Sequence, residues 1–232
     1  MLYMMLPLDR HFDSGFGAVA DSFRDAADAL EDTPTLNTHL PVSFLYRHAI
    51  ELFLKSAIII LHRKLNIPYG AIPATGEPQI PVGEKWKPMH NVHGLQQLYQ
   101  HFCSLFEDHA EYLTTHTNTD WSLPAELGQW ISEIEATDSS STFFRYPVTK
   151  DKEKDKQKSV IREDDYDALL SRMGQHQKLT KTLLMLDQHD NVVETFSHDD
   201  TQAKEIIHTL KQVAEIFSNC HAALVGELTG GA

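Results

Sequence analysis

The sequence predicts an all-α protein with one small β-hairpin inserted before a C-terminal helix. Three observations carry that prediction. Long stretches repeat apolar residues at helical spacing. One of them, Phe44 to His62, is apolar almost all round, as expected of a helix at the centre of a fold. The two runs Thr182–Leu186 and Val192–Phe196, which flank the turn sequence DQHDN, favour strand and a hairpin.

The elements follow in order. Residues 13–30 give a first helix, with Phe16, Val19, Ala20, Phe23, Ala26, Ala27 and Leu30 at helical spacing and Asp13 or Ser14 able to cap its start. Pro34 and Pro41 break the pattern, and a central helix runs from about Val42 to Leu65. Residues 66–90 are rich in proline and glycine and read as a long loop. A third long helix covers 91–117, with Asn91 as a cap, and a shorter one runs from about Pro124 to Ala136. Residues 137–149 read as extended. The alternating charges of KDKEKDKQKS make 149–160 a solvated, mobile loop. A short helix over 164–173, the hairpin and a last helix from Thr201 to Leu228 complete the chain, and LTGGA reads as a frayed tail. With no repeat and no domain-scale linker, residues 1–232 read as one domain.

Composition excludes some functions. The formal net charge of -13 opposes broad, non-specific wrapping of nucleic acid, which needs a basic surface, though it leaves room for a local basic site. The two cysteines, Cys103 and Cys220, have no metal-type spacing and fit a reducing, cytoplasmic compartment. The opening MLYMMLPLDRHFD lacks a basic leader, and no apolar run is long enough to span a membrane. Glycine-rich phosphate loops, nucleophile elbows and dinucleotide fingerprints are absent. No cofactor is expected.

The chemistry concentrates on the central helix. Arg47, Glu51 and Lys55 stand four apart and share a face, with His48 beside them. Buried charge has to be paired or used. Two readings stand. In one, the stripe is an i,i+4 ion-pair ladder that holds the helix in register. In the other, it lines a pocket for phosphate or RNA, where His48 moves protons near neutral pH. Arg145 and Tyr146 complete an anion site if they fold back onto this helix, since Arg matches phosphate in a bidentate way; equally, Arg145 staples the extended segment by pairing with Glu51 or Asp138. His90 and His93 are weak metal candidates, because two ligands do not make a site. His101, His109 and His116 fall on exposed-face positions by periodicity, and Cys103 on an apolar one.

Three segments carry a family resemblance. YRHAIELFLKSAI (Tyr46–Ile58), HNVHGLQQLY (His90–Tyr99) and DSSSTFFRYPV (Asp138–Val148) together resemble HEPN-type helical bundle proteins of an uncharacterised bacterial branch. The resemblance implies an antiparallel helical bundle that forms a homodimer and acts in prokaryotic defence, toxin–antitoxin or stress systems. It implies RNA or a nucleotide-like anion as ligand, an antitoxin or defence protein as partner, and metal-independent RNase chemistry in a composite site. That chemistry uses an Arg and a later His with four to six residues between them. This chain departs from the pattern: Arg172 and His176 have only three residues between them, and Arg47 and His48 are adjacent. No catalytic residue is carried over. The alternative is a non-catalytic protein-interaction module whose charged helix is purely structural.

Overall fold

The computed structural model describes residues 6–33, 37–175 and 181–231. Pro34, expected to break the chain after the first helix, and His176 lie outside the described residues. The architecture is mixed α/β, 56% helical with 12% strand, and the strands form two antiparallel sheets of two and three strands. This corrects the all-α expectation. The chain divides into two compact units, residues 1–146 with 206–232, and residues 147–205.

In the first unit, α1 (Phe16–Glu31) packs along α2 (His39–Lys64). Asp13 starts α1 by accepting the N–H groups of Gly15 (2.9 Å) and Gly17 (2.7 Å). Gly15 takes φ +83°, a left-handed conformation that costs glycine nothing, and Leu8 presses against the place a side chain would occupy. α2 begins three residues before the expected start. Pro41 is accommodated in its first turn, where a missing N–H leaves no helical bond unmade. Every residue from Ala49 to His62 is buried, so the all-round apolar pattern corresponds to a helix enclosed on all sides. At about 1.5 Å per residue, α2 is roughly 39 Å long. The Tyr46 hydroxyl ties it to α1 by bonding Asp28 Oδ1 (2.6 Å).

The proline-rich segment 66–90 is partly ordered as a ribbon. β1 (Gln79–Val82) pairs with β2 (Lys85–Pro88) across a two-residue turn at Gly83 and Glu84. Proline removes a ladder donor, but a two-stranded ribbon consists only of edges, and there Pro81 is tolerated opposite Trp86. The predicted helix over 91–117 is two helices, α3 (Leu95–Asp108) and α4 (Ala110–His116), interrupted at His109. α5 (Leu127–Thr137) contributes Leu127, Ile131 and Ile134 to the core. That core joins them to Ile50, Phe53, Leu54, Leu98, Phe102, Leu210, Val213 and Phe217.

In the second unit, the charged run carries a helix, α6 (Lys152–Lys156). Asp151 caps it through the Lys154 N–H, and Lys158 is buried against Asp155 at 2.6 Å. Local capping and ion pairing order part of what composition alone reads as solvated loop. β3 (Ile161–Glu163) leads to α7 (Tyr166–Gln175), and then to β4 (Thr182–Leu186) and β5 (Val192–His198). β5 is the centre of the sheet, in the order β3-β5-β4. α8 (Thr201–Leu224) starts in this unit and continues into the first, and a π-helical turn, Val225–Thr229, forms the end of the helix expected to run to Leu228. No helix among the described residues is long and apolar enough to cross a membrane.

Candidate functional site

α2 places Arg47, Glu51 and Lys55 one turn apart, and all three are buried, Arg47 completely at 0% exposure. Arg47 Nη1 donates to Glu51 Oε2 (3.2 Å) and to Ser141 Oγ (3.0 Å). Its Nη2 donates to the carbonyls of His93 (2.8 Å) and Asp138 (3.3 Å), and its Nε is ion-paired with Asp138 Oδ2 at 3.1 Å. Lys55 Nζ donates to Glu51 Oε1 (2.8 Å), and His93 Nδ1 lies 3.0 Å from the same oxygen. Two buried cations thus face two buried carboxylates. Burial alone would raise the Glu51 pKa. Lys55 first, then the His93 ring and Arg47, overcome that and hold it below the ordinary carboxylate value.

The serine-rich segment supplies the other side of this network. Asp138 ends α5, and its Oδ1 accepts the N–H groups of Thr142 (2.7 Å) and Phe143 (2.8 Å). That turn brings Ser141 onto Arg47. His93, half-exposed, is where the network reaches the surface.

The remaining candidates are elsewhere. His48 points away from the stripe, stacked on Phe44 (5.8 Å between centroids) and edge-on to Phe23 (4.6 Å). Its buried Nδ1 has no hydrogen-bond partner among the described residues, and burial lowers its pKa. Arg145 is exposed and lies over the Phe44 ring at 5.2 Å, so it pairs with neither Glu51 nor Asp138 in the way the sequence allows. Tyr146 is exposed. His90 is exposed, 3.7 Å from Glu77, while His93 bonds Glu51, so the two do not converge on a metal. No group of three or more His, Cys, Asp or Glu among the described residues is arranged to hold one.

Two buried polar clusters escape sequence reasoning. In the first, Ser56 Oγ stands 2.5 Å from Asp13 Oδ2 and 2.9 Å from His221 Nδ1. A carboxylate only accepts, so the serine proton goes to Asp13 and His221 donates Nδ1–H to the serine. This is a nucleophilic triad wired in reverse, with the hydroxyl proton committed to the carboxylate rather than to the imidazole. The His221 ring also fills the space next to Gly17, which leaves no room for a side chain there. In the second cluster, His62 and His101 meet Nε2 to Nε2 at 3.0 Å. His62 donates Nδ1–H to the Ile67 carbonyl (2.9 Å), so its Nε2 is bare and His101 carries the shared proton. Tyr69 stacks on His62 and Trp86 stands edge-on to both imidazoles. Burial pushes the His101 pKa down to about 4 and lowers that of His62. A His in the last turn of an apolar helix is the one sequence signal for this pair; periodicity alone places His101 on the exposed side. Cys103 is half-buried, and burial raises the pKa of its thiol.

An apolar cleft of about 250 Å³ opens beside Cys103, Phe106 and Trp121, and a polar one of about 460 Å³ beside Arg24, Tyr46 and Lys211. Neither is lined by Arg47, Glu51 or Lys55. No family model matches the chain, and no curated protein or solved structure matches it.

Proposed function

We propose that this chain is a non-catalytic protein-interaction module in which the charged stripe of α2 is an internal clamp. The observation that carries this reading is the enclosure of Arg47, which is fully buried, hydrogen-bonded through its two terminal nitrogens to four acceptors and ion-paired through Nε with Asp138. A phosphate is held by N–H donors that face open space, and this guanidinium presents none. The clamp joins α2 to the entry of α3 through the His93 carbonyl and to the end of α5 through Asp138. The net charge of -13 further supports a protein partner over a polyanion. The RNase chemistry implied by the HEPN-like resemblance needs a proton-transfer group and a phosphate clamp in one cleft, whereas His48 and Arg47 leave α2 in different directions.

The test is incubation with mixed RNA of the parent and of His48→Ala and Arg145→Ala, two substitutions outside the clamp. No cleavage by any of the three and no RNA-dependent shift in melting temperature are expected. Cleavage by the parent that either substitution abolishes overturns the reading.

A further inference from the structure

β4 is an edge strand, with β5 on one side and, among the described residues, no strand on the other. Its sequence is Thr-Leu-Leu-Met-Leu, and Leu183, Leu184, Met185 and Leu186 are 59%, 41%, 49% and 53% exposed. Natural edge strands are usually shortened, charged or covered, because their free N–H and C=O groups template pairing with another chain. This strand is uncharged over its full length and apolar on both faces.

We propose that β4 is a self-association edge, where it pairs antiparallel with β4 of a second copy of this chain about a two-fold axis at Leu184. Backbone direction and charge select that register. The His198 N–H bonds the Lys181 carbonyl at 3.0 Å, and the Asp187 N–H bonds the Asn191 carbonyl at 2.9 Å, so the odd-numbered residues turn their polar groups inward to β5. In a strand the alternate residues then turn theirs outward, and these are Thr182, Leu184 and Leu186. An axis at Leu184 sets Leu184 opposite the partner's Leu184 and Thr182 opposite the partner's Leu186. Each is an outward-facing pair, and together they supply about six inter-strand hydrogen bonds. The same axis sets Lys181 opposite the partner's Asp187, twice by symmetry. Both side chains are exposed, and opposite charges directly across an antiparallel pair attract. A register shifted by two residues loses both charge matches. The two-fold closes the contact into a dimer rather than a growing fibre. This inference concerns the second unit and stands independently of the clamp reading of α2.

Sedimentation velocity of the full chain across the micromolar range tests it, on the parent and on Leu184→Pro, Leu184→Arg and Lys181→Glu. Proline at 184 removes an outward N–H that β5 does not use. Arginine at 184 sets two cations face to face at the axis, and glutamate at 181 sets an acid against Asp187. A concentration-dependent dimer is expected for the parent, with its dissociation constant raised about tenfold or more in each variant, while the far-ultraviolet circular dichroism stays unchanged. A parent that is monomeric throughout, or a dimer that both Leu184 variants leave intact, overturns the proposal. A dimer weakened at Leu184 but indifferent to Lys181→Glu overturns the register.

Discussion

His101 is held neutral by its surroundings, and its stability effect has a definite sign. Its folded pKa of about 4 lies below the ordinary 6.5, so between those values the unfolded chain binds a proton that the folded chain refuses. The stability it supports is complete above pH 6.5 and is lost as the pH falls toward 4. The loss is on the order of 3 kcal/mol from this residue. His62, His48 and His221 are lowered too, in each case by burial first, and add in the same direction. Urea denaturation at steps from pH 7 to pH 4 should show this decline, and His101→Asn should flatten it. A parent whose stability does not change over that window would contradict the buried, neutral pair. At this scale sequence reading is weakest. Periodicity puts His101 on an exposed face, but His62 and Trp86, the latter delivered by a ribbon from a proline-rich segment, stand against it.

At the level of elements, α2 matters because it is apolar on every side and still carries three charges that need partners. The i,i+4 spacing of Arg47, Glu51 and Lys55 is local, so half of the clamp was legible in the sequence. The other half depends on Asp138 and Ser141, and no local rule links residues 91 and 94 positions away. Likewise β4 and β5 announce themselves by composition and turn chemistry. β3 is three residues long, too short to show alternation, and β1 and β2 contain prolines that argue against strand. Those omissions are why the chain reads as all-α. Asp138→Ala leaves two buried cations, Arg47 and Lys55, against the one carboxylate of Glu51 and frees two backbone N–H groups. It should cost about 3–5 kcal/mol, measured by chemical denaturation. A loss below about 1 kcal/mol would mean that the pair is not a clamp.

For the whole molecule, the dominant quantity is the net charge of -13. Two copies approaching one another repel at long range, and salt screens that repulsion over about 8–10 Å at physiological strength. Self-association through β4 should therefore strengthen as salt rises from low to physiological levels, as read by sedimentation; strict weakening over that range would point to an interface made mainly of ion pairs. The clamp also has a consequence in time. α1 and α2 are neighbours in sequence and can pair early, since local contacts form fastest. Arg47 has Glu51 one turn away, but it cannot find its second carboxylate, Asp138, until the chain has closed a loop of 91 residues. The central helix therefore spends the early part of folding with two cations, Arg47 and Lys55, against the single carboxylate of Glu51. That charge keeps the nascent hairpin hydrated and unattractive to other chains until Asp138 arrives to seal it, so the clamp acts as the latch of a late folding step, and its loss would show as faster unfolding rather than slower refolding.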